Sequence, residues 1–438
     1  MYSVGLYTLG CKVSQYETEA VLELFEAAGF ESRSFTDRCD VYVINTCTVT
    51  AESDAKSRKY IRRAIRTNPD AVVCVMGCYS QRAPEEVAAI DGVSVVIGTE
   101  NKTKLPGIVK EILDGKMERH ISTTDVKVAE FEPMCISRAP RTRAYLKIED
   151  GCECKCTYCA IHDARGRVRS KPKDEVIKEV EALAKSGVGE IVLTGIETAS
   201  YGKDFNTGYT LADLLCELDA RKSCKRIRLG SLAPELIDEK FVMQVKDLKI
   251  LAPHFHLSVQ SGSDAVLRAM KRRYNAKTAL ANIERIRENI KGATFTTDLM
   301  VGFPGEGREE FERTVLFLKE ARFIDAHIFA YSKRHGTPAA TYENQVPEDE
   351  KERRSRELIE VARTVKNEVL DEIVKRGDPL SLILETEKGG VFVAHSAEFL
   401  EATVKAPGKK QGDFVMAVPV LNKNGVIHAE MIENVNKN

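Results

Sequence analysis

Apolar, β-branched runs at Val4 to Leu9, Val41 to Thr46, Ala71 to Gly77 and Val93 to Gly98 predict four strands in the first hundred residues. Helical patterns fill the gaps between them. After Ser14, apolar Val21, Phe25 and Ala28 recur at helical spacing, and Lys56 to Arg66 reads as a second helix rich in positive charge. Strands alternating with helices predict a mainly parallel sheet with crossover connections, hence a first α/β domain over 1–130. Its boundary falls in the polar stretch from Lys102 to Arg143, which contains Pro106, Pro133 and Pro140.

A second alternation begins at Ala144. Strands are predicted at Ala144 to Ile148, Ile191 to Thr194, Arg226 to Leu229, His254 to Val259, Thr294 to Val301 and Ala326 to Tyr331. Helices between them include Asp174 to Lys185, with Ile177, Val180 and Ala184 on one face, and Glu309 to Lys319, with Phe311, Val315 and Leu318. Six such units make a partial (β/α)6 barrel over 140–345, whose reactive groups belong at the C-terminal ends of its strands. A long charged helix, Asp349 to Arg376, serves as a connector over 346–376. The remainder, 377–438, loses the helical pattern. Its short apolar strands, broken at Lys388-Gly389-Gly390 and Asn422 to Gly425, predict a small all-β barrel.

Composition narrows the class. Lys and Arg number 65 against 66 Asp and Glu, a net charge of −1, which excludes a globally basic nucleic-acid coat protein. No uninterrupted apolar run approaches the ~20 residues of a membrane helix, and the N-terminus lacks the basic start and apolar stretch of a signal peptide. The expected compartment is the reducing cytoplasm, with no membrane partner. Disulfides do not persist there, so the 12 cysteines point to metal, cluster or redox chemistry.

The sharpest signal is Gly151-Cys152-Glu153-Cys154-Lys155-Cys156-Thr157-Tyr158-Cys159, directly after the first barrel strand. Cys152, Cys156 and Cys159 have the spacing C-x3-C-x2-C, and a loop of that size wraps three thiolates around one iron–sulfur cube. Three ligands leave one iron open to a small molecule. Zinc is the competing reading, but it wants a fourth ligand and neither a second C-x2-C nor paired histidines follow. Cys154 reads as a spectator.

With Tyr158 just before its last cysteine, this motif resembles the signature of radical S-adenosylmethionine enzymes. The resemblance implies that the open iron chelates the methionine end of S-adenosylmethionine and that one electron releases a 5′-deoxyadenosyl radical. It also implies further cofactor contacts after successive strands: Thr194-Gly195-Ile196-Glu197, Gly230-Ser231, Ser258 to Ser261, and Asp298 to Glu306. Tyr158, Gly195, Glu197, Ser231, Gln260, Asp298 and Phe303 are the named candidates. No residue is assigned as a general acid or base.

Cys11, Cys47 and Cys78 each follow a predicted strand of the first domain, so a parallel sheet brings them to one edge. That trio argues for a second cluster, whereas Cys39, Cys74, Cys135, Cys216 and Cys224 read as buried packing. Thr8 to Val13, Val43 to Thr50 and Met76-Gly77-Cys78 closely resemble the N-terminal domain of methylthiotransferases. The likeness spans nearly the whole chain, including a TRAM-like C-terminal barrel. Within the family, Thr8-Leu9-Gly10-Cys11-Lys12 and Ala164 to Ser170 are most similar to the branch acting on N6-threonylcarbamoyladenosine beside the tRNA anticodon. The resemblance implies two 4Fe-4S clusters, two uses of S-adenosylmethionine, insertion of sulfur and methyl at adenine C2, and a low-potential flavodoxin or ferredoxin as electron donor. Cys154, His162-Asp163 and Glu197 depart from the usual family pattern.

Arg165, Arg167, Arg169, Lys171 and Lys173 recur every second residue, so an extended segment places all five on one face, a candidate phosphate clamp. A solvated charge run is the competing reading. Lys56, Arg58, Lys59, Arg62, Arg63 and Arg66 supply a second basic surface. The segment from Asp378 onward has six Lys, no Arg and eight Asp or Glu, so it cannot hold RNA by bulk charge and is equally a structural lid. Rival functions are methylthiolation of isopentenyladenosine tRNA or of a ribosomal protein, and a noncatalytic iron–sulfur protein that binds RNA or senses redox state.

Overall fold

The computed structural model describes residues 1–139 and 142–432; Pro140 of the expected boundary stretch and residues 433–438 of the last expected domain lie outside them. The first sheet is formed by β1 (Ser3–Thr8), β2 (Glu31–Arg33), β3 (Val41–Thr46), β4 (Val72–Gly77), β5 (Val93–Ile97) and β6 (His120–Ser122). All pairings are parallel, in the order β2-β1-β3-β4-β5-β6. Every residue of β3 and β4 is buried, which is why their sequences are continuous apolar runs rather than alternating ones. Helices α1 (Lys12–Ala27) and α2 (Ala51–Thr67) follow β1 and β3; α1 buries Tyr16, Val21 and Phe25, and the Thr50 hydroxyl caps α2 by accepting from the Ser53 N–H. Strand order reverses between β1 and β3. That crevice is the usual ligand edge of an open parallel sheet.

The central part contains β7 (Arg143–Lys147), β8 (Glu149–Asp150), β9 (Arg169–Ser170), β10 (Glu190–Thr194), β11 (Arg226–Leu229), β12 (Ser231–Leu232), β13 (His254–Gln260), β14 (Thr294–Val301) and β15 (Asp325–Ala330). Parallel sheets β7-β10-β11 and β12-β13-β14-β15 meet where Gly230 interrupts β11 and β12, giving a six-position open arc. Ala144, Leu146, Ile227, Leu229, Phe255, Leu257 and Leu299 pack into the main core. By strand alternation Arg143, Arg228, His254, His256 and Asp298 take the opposite, lumenal face. The arc has two open edges. Helix α1 covers β7, where the Tyr16 hydroxyl donates to the Met134 carbonyl (2.6 Å), and the long helix Glu348–Arg376 packs on β15.

Strands β16 (Leu380–Lys388), β17 (Val391–Ser396), β18 (Glu401–Lys405), β19 (Phe414–Lys423) and β20 (Val426–Met431) close into a barrel in the order β16-β17-β18-β20-β19. This barrel docks on the N-terminal ends of the central strands. Arg226 donates to the Ser381 carbonyl (3.0 Å), Arg228 to the Ala397 carbonyl (2.9 Å), and Thr294 to the Glu398 carbonyl (2.5 Å). Phe399, held at a left-handed φ of 68°, stacks on His254 at 4.6 Å with the Arg228 guanidinium 4.9 Å from its ring. Buried Glu190 gathers Arg143, Arg226 and Arg228 beneath it; burial opposes its ionisation, yet these cations hold its carboxyl down to about 2. Among the described residues no helix is long and apolar enough to cross a membrane.

Candidate functional site

Cys11 caps α1 after β1, Cys47 follows β3, and Cys78 opens the short helix after β4, so the three meet at the β1/β3 switch edge. A Cβ on Gly10 would lie 3.1 Å from the Cys47 Cβ. The three sulfurs are close enough to act on one another: Cys11 raises Cys47, and Cys47 and Cys11 both raise Cys78, in each case behind burial, which is the larger cause. The barrel cysteines occupy the loop after β8. Burial and then the neighbouring Cys156 raise the Cys159 thiol, while Cys152 is joined to Cys154, whose N–H donates to the Cys152 sulfur (3.3 Å). That partnership, against burial, lowers the Cys154 thiol to about 6.

Hydrogen bonding sorts the cysteines. Among the described residues no three His, Cys, Asp or Glu side chains converge on a single metal ion, so the sets are judged by what their sulfurs accept. The Cys47 sulfur accepts from the Val49 N–H (3.5 Å), Cys78 from Arg165 Nε (3.2 Å), Cys156 from Arg272 (3.5 Å) and Cys159 from the Ile161 N–H (3.4 Å). Cys11 pairs with the Ser14 hydroxyl at 3.8 Å. By contrast Cys39, Cys216 and Cys224 donate to the carbonyls of Ser34, Gln244 and Arg226, as protonated thiols do. N–H donors aimed at sulfur favour thiolate and tune a cluster that the thiolate holds. Cys39 and Cys74 are buried as expected, but Cys135 is exposed and is not core packing.

The arginine run requires a correction. Arg165 and Arg169 do not face solvent: Arg165 is 0% and Arg169 2% exposed. Arg165 reaches Glu17 (2.6 Å), Asp150 (3.0 Å) and Cys78, while Arg169 pairs with Glu100 (2.9 Å). Lys171 is buried against Glu179 and Tyr16. The period-two face does not form, because Arg165 ends the helix Ile161–Arg165, Lys173 opens the next helix and only Arg169–Ser170 is extended; Arg165, Arg169 and Lys171 turn inward to buried carboxylates instead. Only Arg167 and Lys173 remain exposed. Glu17 also takes Lys147 (3.0 Å) and Lys102 (3.4 Å), and these cations outweigh burial to hold it well below the usual carboxylate range.

The expected cofactor residues scatter over two levels. Near the cysteine loop, a Cβ on Gly195 would come within 2.4 Å of Glu149 Oε2, which already accepts from the Glu197 N–H (2.8 Å). Burial pushes Glu197 up to about 7 despite the Ala233 N–H on its carboxylate. Half-buried Ser231 opens β12. Gln260 has a left-handed φ of 72° and a buried Oε1 without a partner. Tyr158 meets Phe303 edge to face at 6.5 Å, and the Phe303 side chain is wholly buried with Met270, Met300 and Tyr331. Asp298 lies lower, in mid-strand, accepting from His256 (3.1 Å) and His327 (3.3 Å); those imidazoles overcome burial and lower its carboxyl. Two further residues had no sequence signal. Glu149 is buried with Oε1 unpartnered and its pKa raised by burial, and Arg272 bridges Cys156 and the Ser258 carbonyl.

Residues 146–318 match the Radical SAM superfamily and residues 3–98 match Uncharacterized protein family UPF0004. Over 425 residues, 95% of this chain and 93% of the relative, the sequence is 41% identical to the threonylcarbamoyladenosine tRNA methylthiotransferase MtaB of Bacillus subtilis (strain 168). The chain belongs to the radical S-adenosylmethionine methylthiotransferases. Identity to the tRNA-2-methylthio-N(6)-dimethylallyladenosine synthase of Carboxydothermus hydrogenoformans is 34%, over 82% of this chain and 83% of that one. The methylthiotransferase fold is also like that of the radical S-adenosylmethionine methyltransferase TsrM from Kitasatospora setae, with a TM-score of 0.56 at 17% identity, covering 77% of each chain. In this methylthiotransferase the helix Ile161–Arg165 leads from Cys159 directly into the N-terminal trio, so one rigid turn ties the two cysteine groups together.

Proposed function

We propose that the protein inserts a sulfur atom and a methyl group at adenine C2 of N6-threonylcarbamoyladenosine beside the tRNA anticodon. The observation that carries this reading is the pair of cysteine trios whose sulfurs accept hydrogen bonds or pair with a hydroxyl, joined through Arg165. Cys152, Cys156 and Cys159 hold one 4Fe-4S cluster, and Cys11, Cys47 and Cys78 hold the other. The donor sets fit: each has three thiols and leaves a vacant corner. S-adenosylmethionine also fits, because the orphaned Oε1 atoms of Gln260 and Glu149 need donors of the kind its amine and hydroxyls supply. When bound, these groups supply one-electron cleavage of a sulfonium bond, hydrogen abstraction and a source of sulfur and methyl.

The chain's own residues position and enclose. Glu149 and Glu197 brace the loop beside the barrel cysteines, Arg272 and Arg165 donate to sulfur, and Phe399 closes the lower end of the lumen against water. Greater identity to the threonylcarbamoyladenosine enzyme than to the dimethylallyladenosine one favours the named substrate. The proposed division is 1–130, 140–345, 346–376 and 377–438, acting in the cytoplasm with a flavodoxin or ferredoxin as reductant. Exposed Arg167 and the unpaired cations of α2 are the proposed phosphate contacts. Protein reconstituted without oxygen and supplied with reductant, S-adenosylmethionine and threonylcarbamoyladenosine-bearing tRNA should yield 5′-deoxyadenosine and the 2-methylthio nucleoside by mass spectrometry. RNA binding without 5′-deoxyadenosine would identify a noncatalytic protein instead.

A further inference from the structure

The turn after the helix Asp264–Ala269 is pinned onto the loop of barrel cysteines. Thr157 donates through its N–H to the Met270 carbonyl (3.1 Å) and through its hydroxyl to the Ala269 carbonyl (2.9 Å). Arg272 reaches the Cys156 sulfur (3.5 Å), and Arg273 the Glu153 carbonyl (3.4 Å). Lys271 takes a left-handed φ of 58°, a strained turn in which Arg272 is half-buried while Lys271 and Arg273 on either side are exposed. The surface this makes is positive. Lys155, Arg268, Lys271, Arg273 and Lys277 are exposed, and none has an ion pair among the described residues. Over 152–159 and 264–277 the one exposed carboxylate is Glu153; Asp264 is half-buried and accepts from the Ala276 N–H (2.8 Å).

Its place in the arc separates this surface from the substrate. The turn follows β13, which lies inside the arc with β12 and β14 on either side. The N-terminal domain meets the arc at its two edges: α1 covers β7, and beyond β15 the Ser332 hydroxyl accepts from the Ala51 N–H (3.2 Å) and Arg334 pairs with Asp54 (2.7 Å). A base set between the two cysteine trios therefore lies toward the edges, and the basic turn stays outside. An electron delivered before RNA is seated makes a radical open to side reactions, so the reductant needs a face that RNA leaves free. Protein electron carriers meet their partners through small, transient contacts steered by opposite charge. We propose that this turn, with Lys155, docks an acidic one-electron carrier of flavodoxin or ferredoxin type that reduces the barrel cluster beside Cys156. This deepens the function proposed above and rests on it. With a flavodoxin, the hydroquinone anion of its FMN gives up one electron and becomes the neutral semiquinone, the barrel cluster gains that electron, and no proton moves.

The test measures 5′-deoxyadenosine from reconstituted holoenzyme with S-adenosylmethionine and tRNA, driven either by purified reduced flavodoxin or by dithionite. Arg268→Gln, Lys271→Gln and Arg273→Gln combined should slow the flavodoxin-driven rate at least about 10-fold at low salt, with the dithionite-driven rate, tRNA affinity and iron content unchanged. If the variant loses iron, the wild type decides: its affinity for labelled flavodoxin, read by fluorescence anisotropy, should fall with salt and stay within about twofold when tRNA is saturating. Equal flavodoxin-driven rates in variant and wild type, or displacement of flavodoxin by tRNA, overturns the docking surface. Weaker tRNA binding by the variant makes the turn an RNA contact instead. Should flavodoxin fail with the wild type, reduced ferredoxin takes its place, and failure of both beside an active dithionite reaction overturns the proposal as well. No 5′-deoxyadenosine even with dithionite overturns the function on which it rests.

Discussion

Whether a cysteine sulfur donates or accepts separates packing from ligation more sharply than burial does. Cys39 and Cys78 are both buried, yet one gives its proton to the Ser34 carbonyl and the other receives Arg165 Nε. Replacing Cys78 or Cys156 by Ser should therefore lower reconstituted iron from about eight to about four atoms per chain. Cys39→Ser and Cys216→Ser should leave it unchanged; an iron assay after anaerobic reconstitution reads the difference. Arg165 is the harsher test of the same contact. Arg165→Gln leaves Glu17 and Asp150 short of a buried cation and should cost about 3 kcal/mol or more, seen as a lowered thermal midpoint. The strand-end cysteines were readable because each follows an apolar run. The destiny of Arg165 and Arg169 was not, because their partners Glu17, Glu100 and Asp150 come from three separate segments and leave no local trace.

At the scale of elements, apolar runs located the buried strands and missed β2 and β6, three-residue edge strands held by backbone pairing and carrying no buried side chain. Of the barrel strands β10, β11 and β14 were legible for the reason that β3 and β4 were, namely burial on both faces, whereas β15 has no buried residue and was legible from its apolar run alone. The docking of the C-terminal barrel was invisible, since its contacts are carbonyls, the rings of Phe399 and Phe414, the Glu385 carboxylate and the arginines around Glu190. Those arginines give the joint a pH dependence. Glu190 is depressed in the fold, so its contribution is complete above the unfolded value near 4.5 and is lost as pH falls toward about 2. Glu190→Gln should destabilise by about 3 kcal/mol at pH 7. In paired denaturant titrations, the gap from wild type should narrow steadily below about pH 4.5.

Across the whole molecule, near-zero net charge hides an uneven distribution. Lys59, Arg62, Arg63 and Arg66 stand exposed on α2 without an ion pair among the described residues, whereas Lys56 and Arg58 are taken by Glu52 and Glu86. Because α2 starts four residues beyond Cys47, these four cations lead from the N-terminal trio across the surface. Changing all four to Gln should weaken binding of a tRNA anticodon arm and reduce the slope of log affinity against log salt by about 3, measured by fluorescence anisotropy, with iron content unaltered.

The Phe399 contact with His254 has a bearing on traffic. With Phe399 of the C-terminal barrel set on His254, that end of the lumen is plugged by an aromatic pair, so on the proposed reading cofactor and RNA share the opposite, cysteine-bearing end as their approach.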